Sequence, residues 1–178
     1  AACGGGGGEG SGDGTAGPPA GSAGSLAPLS GSQTYAYPSA KSDAEAARFL
    51  LQAQGHATEA DIKAVLAQGF LPWLAAQFDA SKSETGWDWI NARANVSGVD
   101  FDNMIWAQLM ASPDGMRKRL ALSLSEIFVV SGSDIGSSWP DRMMAQYWDT
   151  LVAGVTRDFR SLLGAISLDP AMGYYLNT

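Results

Sequence analysis

Beyond Ser42 the apolar residues recur at helical spacing, and no segment alternates apolar and polar long enough to demand a strand. That periodicity places the folded part in the all-α class. Ala47, Leu50 and Leu51 form one stripe, and Ile62, Val65 and Leu66 form a second. Leu71, Leu74, Ala75 and Phe78 predict a third helix, with Pro72 tolerated in its first turn. Ser42-Asp43-Ala44-Glu45 reads as a full capping box, and Thr58-Glu59-Ala60-Asp61 as a shorter imitation of one. Gly55 and Gly69 stand where glycines end helices.

The pattern continues to the end of the chain. Residues 84–95 read as helical. Asp102 is placed to cap a helix reaching Ala111, with Phe101 and Trp106 as its hydrophobic staple and Ile105 and Leu109 on its apolar face. Ser112 and Pro113 read as N-cap and first residue of a helix running to Val130, apolar on nearly every side and so expected at the centre of a bundle. A Gly/Ser-rich loop covers residues 131–138. Met144, Tyr147, Trp148 and Leu151 line one face of the next helix, and Phe159, Leu162, Leu163 and Ile166 line another. Asp169-Pro170 caps a short final helix. The sum is an irregular multi-helix bundle.

Composition divides the chain. Residues 1–40 hold 12 of the 22 glycines, 4 of the 8 prolines and no Lys or Arg. Such a segment cannot bury enough apolar surface to fold, and is expected to be a disordered tether ahead of a helical domain at 41–178. Cys3, the only cysteine, sits in Ala1-Ala2-Cys3, with glycine at 4 through 8 behind it. This looks like the mature end of a bacterial lipoprotein, in which the cysteine carries the lipid. A Gly/Ser-rich coil of about 35 residues reaches some 30–35 Å, enough to hold a domain clear of headgroups.

Several functions are disfavoured. A net charge of −7 with scattered Lys and Arg lacks the electrostatic footprint of a nucleic-acid binder. One His and one tail Cys cannot build a multi-His zinc site or a plausible Cys-His pair, so no metal or cofactor is expected. Gly132-Ser133-Asp134-Ile135-Gly136 carries its Ser at the wrong offset for a nucleophile elbow. His56 reads as a turn histidine bonded to backbone, and Asp102 as a cap rather than a cation ligand with Asp100. Arg119, Ser123 and Glu126 share one stripe of an otherwise apolar helix and form the candidate polar site. A buried Glu126 would need a partner, with Arg93, Arg142, Arg157 and Arg160 as candidates. The tryptophans, like Met143 and Met144, are expected mostly in the core. Trp87 and Trp89 fall about 200° apart on a helix, so one of them faces outward, where it can stack on a sugar ring.

Residues 117–131, Arg117-Lys118-Arg119-Leu120-Ala121-Leu122-Ser123-Leu124-Ser125-Glu126-Ile127-Phe128-Val129-Val130-Ser131, resemble the signature helix of the bacterial family called domain of unknown function 1800. Ala46-Ala47-Arg48-Phe49-Leu50-Leu51 with Thr58-Glu59-Ala60-Asp61-Ile62 resembles its N-terminal helix pair. Tyr147-Trp148-Asp149 and Asp169-Pro170-Ala171-Met172-Gly173-Tyr174-Tyr175-Leu176 resemble a block after the signature. The resemblance spans roughly residues 43–178, departing at Gly55-His56-Ala57, where the family often has Phe-Gly-Pro. It implies a large, exported, mostly helical bacterial protein, of which this chain is the N-terminal portion. It supplies no reaction.

The expectation is therefore a protein of the bacterial cell envelope, lipid-anchored and extracytoplasmic, on the periplasmic or outer-membrane face. Its function is a binding or assembly module with the membrane and an envelope protein or glycan as partners. The alternative is an envelope hydrolase acting on polymers, with catalytic residues in a C-terminal continuation. Whether the chain is an enzyme stays open at this point.

Overall fold

The computed structural model describes residues 38–177, and these form nine α-helices and one 3₁₀ turn, with no strand among them. Cys3 and residues 1–37 lie outside the described residues. The order is α1 Asp43–Ala53, α2 Glu59–Gln68, α3 Phe70–Asp79, α4 Gly86–Asn91, α5 Asp100–Ala111, α6 Gly115–Ser125, the 3₁₀ turn Gly132–Asp134, α7 Pro140–Gly154, α8 Phe159–Ser167 and α9 Pro170–Leu176. No helix of the described residues is long and apolar enough to cross a membrane.

Two apolar clusters hold the bundle. Ala46 and Leu50 of α1, Val65 of α2 and Trp73 of α3 make the first, with Met116 of α6. Phe49 stands edge-on to Trp73 at 5.3 Å between ring centroids. The second cluster gathers Ile90, Met104, Ala121, Met144, Trp148, Leu151, Leu162 and Ile166 around α7. Each fully buried Leu or Ile there contributes about 1.5–3 kcal/mol. Helix α6 joins the two, giving Met116 to one and Ala121 to the other.

The local signals worked out unevenly. Thr58 and Asp61 form the reciprocal capping box, whereas at Ser42 only half of one is present. Ser42 Oγ accepts from Glu45 N–H at 3.3 Å, but the Glu45 carboxylate turns back to Lys41 N–H at 2.7 Å. In α3 the inward face is Phe70, Trp73 and Leu74, shifted from the expected stripe, and Leu71 and Phe78 are exposed. Trp73 decides this register, since the first cluster takes its large ring. Residues 84–95 supply only the six-residue α4, capped by Thr85.

Helix α5 begins at Asp100, so Asp102 lies inside it and is not its cap. At its start the Asp100 carboxylate accepts Ser97 N–H at 2.7 Å, and the Phe101 backbone N–H pulls the Asp141 carboxyl of α7 down against its burial. The Phe101–Trp106 staple does not form, and Trp106 is 63% exposed. Helix α6 starts at Gly115, with Asp114 rather than Ser112 at the N-cap, and ends at Ser125 instead of Val130. There the Ser125 hydroxyl donates to Leu122 O, a local bond that competes with the helix, and Tyr147 OH donates to Phe128 O. The residues of α6 that are buried include Arg117 and Lys118, while Leu120 and Ile127 face outward.

Helix α7 matches its expected face in full, with Met144, Tyr147, Trp148 and Leu151 buried. In α8 only Leu162 and Ile166 are buried, and Phe159 and Leu163 are exposed. Asp169 caps α9 through Ala171 N–H at 2.9 Å. The tryptophans do not mostly enter the core: Trp73 and Trp148 do, whereas Trp87, Trp106 and Trp139 are exposed. None of these three belongs to either apolar cluster.

Candidate functional site

The stripe expected to carry polar chemistry is split by the fold. Arg119 Nη1 donates to Ser123 Oγ at 3.0 Å. Glu126 is the exposed C-cap of α6, so burial imposes no partner on it. Two of its candidate partners are engaged elsewhere: Arg93 stacks on the Trp89 ring, and Arg142 Nε donates to Asn91 Oδ1 at 2.9 Å. His56 behaves as a structural turn residue, with Nδ1 at 2.9 Å from Leu109 O.

The buried polar groups lie one turn earlier on α6. Asp114 is fully buried at its N-cap, where the helix dipole favours a carboxylate. Arg117 Nε stands 3.6 Å and Lys118 Nζ 4.0 Å from Asp114 Oδ2. Neither Asp114 oxygen has a hydrogen bond among the described residues. Arg117 Nη2 donates to Phe78 O and Ala80 O, each at 3.3 Å, and so satisfies carbonyls at the C-terminal end of α3. The α6 N-terminus packs closely on the α1–α2 turn. A Cβ at Gly115 would stand 3.1 Å from Gln54 Oε1 and 3.1 Å from His56 Cε1.

Asp149 of α7 completes this polar seam. Its Oδ1 accepts Gly86 N–H at 2.7 Å and its Oδ2 accepts Trp87 N–H at 2.9 Å. Burial pushes its carboxyl above the ordinary range, against those hydrogen bonds and the Lys118 charge, which pull it down. Burial also pushes the Lys118 ammonium below its ordinary range, with Asp114 and Asp149 opposing. Deeper in, Trp148 Nε1 donates to Gln108 Oε1 at 2.8 Å, and Gln108 Nε2 donates to Glu84 O at 3.2 Å.

Above the seam opens a cavity of 410 Å³. Its polar lining includes Lys82, Ser83, Thr85, Lys118, Asp149 and Arg157 with Gln146, Thr150 and Ser161, and Val152, Ala153, Leu162 and Ala165 form an apolar wall. Gly154 lies at the wall's tightest point, where a Cβ would fall 2.4 Å from Leu162 Cδ1. Nothing in the helical periodicity separated Asp149 or Lys118 from solvated charges. The visible trace was the spacing of Asp114, Arg117 and Lys118 at i, i+3 and i+4, which lets both cations reach one carboxylate. No group of three or more His, Cys, Asp or Glu among the described residues is placed to hold a metal ion.

Fold and site together define an all-α domain with a cationic cavity between its longest helix and the helices packed on it. Residues 48–178 match the family described as a protein of unknown function, DUF1800. The match covers well over half of the chain, which therefore belongs to that family. No curated protein and no solved structure matches it.

Proposed function

We propose that the chain is an exported cell-envelope protein, tethered by a lipid on Cys3, whose helical domain is a binding or assembly module with the α7–α8 cavity as its site. The observation that carries the binding role is the state of the cavity hydroxyls. Ser161 Oγ donates to Asp158 Oδ2 at 2.6 Å, and that bond, with Ser161 N–H, holds the Asp158 carboxyl below its ordinary range. A carboxyl of lowered pKa is a weak general base. Ser161 is thus set to accept a hydrogen bond from a ligand rather than to attack one. Thr150 Oγ1 likewise has its acceptors within the protein, Gln146 O at 2.9 Å and Asp169 Oδ2 at 3.2 Å, and lines the cavity.

The tether rests on the setting of Cys3 and on the glycine-rich composition behind it. Several acyl chains on that cysteine would give the stable anchoring that one chain cannot. The partners of such a module are the membrane, through the lipid, and an envelope glycan or protein at the cavity.

Two measurements test this. Mass spectrometry of the N-terminal peptide, from protein isolated from its own cells, should find diacylglycerol on Cys3, and Cys3→Ser should leave the membrane fraction. An unmodified thiol would overturn the tether. Nuclear magnetic resonance titration of the 178-residue chain with N-acetylglucosamine oligomers should perturb Thr150 and Ser161 without consuming the oligomers. Their hydrolysis would replace the binding module with an enzyme.

A further inference from the structure

The Lys118 side chain is 2% exposed, yet it lines the cavity. An ammonium carries three donors, and a buried donor without an acceptor is costly. Among the described residues the one carboxylate oxygen within 4.0 Å of Nζ is Asp114 Oδ2, at the limit of that range and beyond hydrogen-bond reach. Arg117 Nε stands closer to the same oxygen, at 3.6 Å. Asp149 acts on the ammonium through its charge, with neither oxygen within 4.0 Å of Nζ among the described ion pairs. The ammonium is therefore charge-compensated in part, by a carboxylate beyond hydrogen-bond reach, at a position that lines the cavity.

The charged groups of the lining itself are mostly of the same sign, with the carboxylates of Asp158 and Asp169 standing behind Ser161 and Thr150. The chain as a whole is acidic, at −7, but the cavity lining counts Lys82, Lys118 and Arg157 against Asp149 alone. Lys82 and Arg157 are exposed and stand at the mouth. The volume exceeds that of a bare phosphate and falls in the range of about 300–1,000 Å³ typical of small-molecule sites. The rest of the lining includes an apolar wall at Val152, Leu162 and Ala165 and the hydroxyls of Ser83, Thr85, Thr150 and Ser161.

We propose that this cavity binds a small hydroxylated molecule bearing an anionic oxygen group, phosphate or carboxylate, which the buried Lys118 ammonium takes while Lys82 and Arg157 close over it. The body of the ligand lays an apolar face on α8 and donates hydroxyls to Thr150 and Ser161. The assignment rests on the binding-module reading and gives it a ligand class. Burial pushes the Lys118 ammonium below its ordinary range, and an anion in contact would raise it again.

The test is a titration of the 178-residue chain at low ionic strength with glucose 6-phosphate, glucuronate, inorganic phosphate and glucose, followed by calorimetry and by the resonances of Lys118, Thr150 and Ser161. Saturable binding of glucose 6-phosphate or of glucuronate is expected, with the two arms telling phosphate from carboxylate. Binding of inorganic phosphate alone would keep the anion site and overturn the hydroxylated body. Lys118→Met should abolish binding, and the exposed pair Lys82→Ala with Arg157→Ala should weaken it about tenfold, or about 1.4 kcal/mol, without a risk to folding. If glucose binds as well as its phosphate, the binding module stands and the anion assignment falls. If no probe moves the cavity resonances, the anion assignment falls, and the binding module is decided separately by the N-acetylglucosamine titration.

Discussion

The Asp149 carboxylate of α7 accepts the Gly86 N–H at 2.7 Å and with it fixes the N-terminus of α4. The second oxygen takes Trp87 N–H, so one side chain satisfies two of the donors that a helix start leaves open. Six residues are too few for α4 to stand by itself. Asp149→Ala should therefore cost about 1–3 kcal/mol, read from the midpoint of urea unfolding. An unchanged midpoint would show that Thr85 alone holds this helix start.

Arg117 carries a comparable structural duty on the other side of the seam. Replacing it with Met frees the Phe78 and Ala80 carbonyls and leaves buried Asp114 with Lys118 alone. Breaking a buried ion pair on one side costs roughly 3–5 kcal/mol. Combining Arg117→Met with Asp114→Asn should recover a good part of that loss. A single variant as stable as the parent would mean that the Asp114 charge is not held by Arg117.

The buried aspartates give stability a pH signature. Burial raises the carboxyl pKa of Asp141, Asp149 and Asp169. A folded-state pKa above the unfolded value means that the folded chain binds the proton more tightly. The cost of these charges is thus absent below the unfolded value of about 3.9 and develops as pH rises through the folded pKa. Exposed Asp100 and Asp158, lowered by their hydrogen bonds, act in the opposite sense. The stability of the parent relative to Asp149→Asn should fall as pH rises from that value and then level off. Parallel pH profiles of the two urea midpoints would contradict this.

Glu126 separates what periodicity reveals from what it hides. As an exposed C-cap, it should tolerate Glu126→Gln within about 0.5 kcal/mol by thermal or urea unfolding. A larger loss would restore the buried role that its stripe implied.

The reason the stripe misled is physical. Helix existence was legible because α7 and the Thr58–Asp61 cap are written locally, in side chains three or four residues apart. The limits of α5 and α6 were not, because their ends are set by groups distant in sequence. The backbone at the start of α5 lies close enough to Asp141 to act on its carboxyl, and Tyr147 holds the chain just past α6. The all-α class followed from spacing, and the family resemblance from three separated blocks. The cavity did not, since Lys118 and Asp149 read as ordinary surface charges until tertiary packing buries them.

What occupies the space above Lys118 decides the binding role most directly. A crystal structure of the chain grown with glucose 6-phosphate should place phosphate oxygens about 2.7–3.2 Å from Lys118 Nζ, with the sugar ring against Leu162 and Ala165. Sugar phosphate bound elsewhere, with Lys118 Nζ drawn onto Asp114 over an empty cavity, would contradict it.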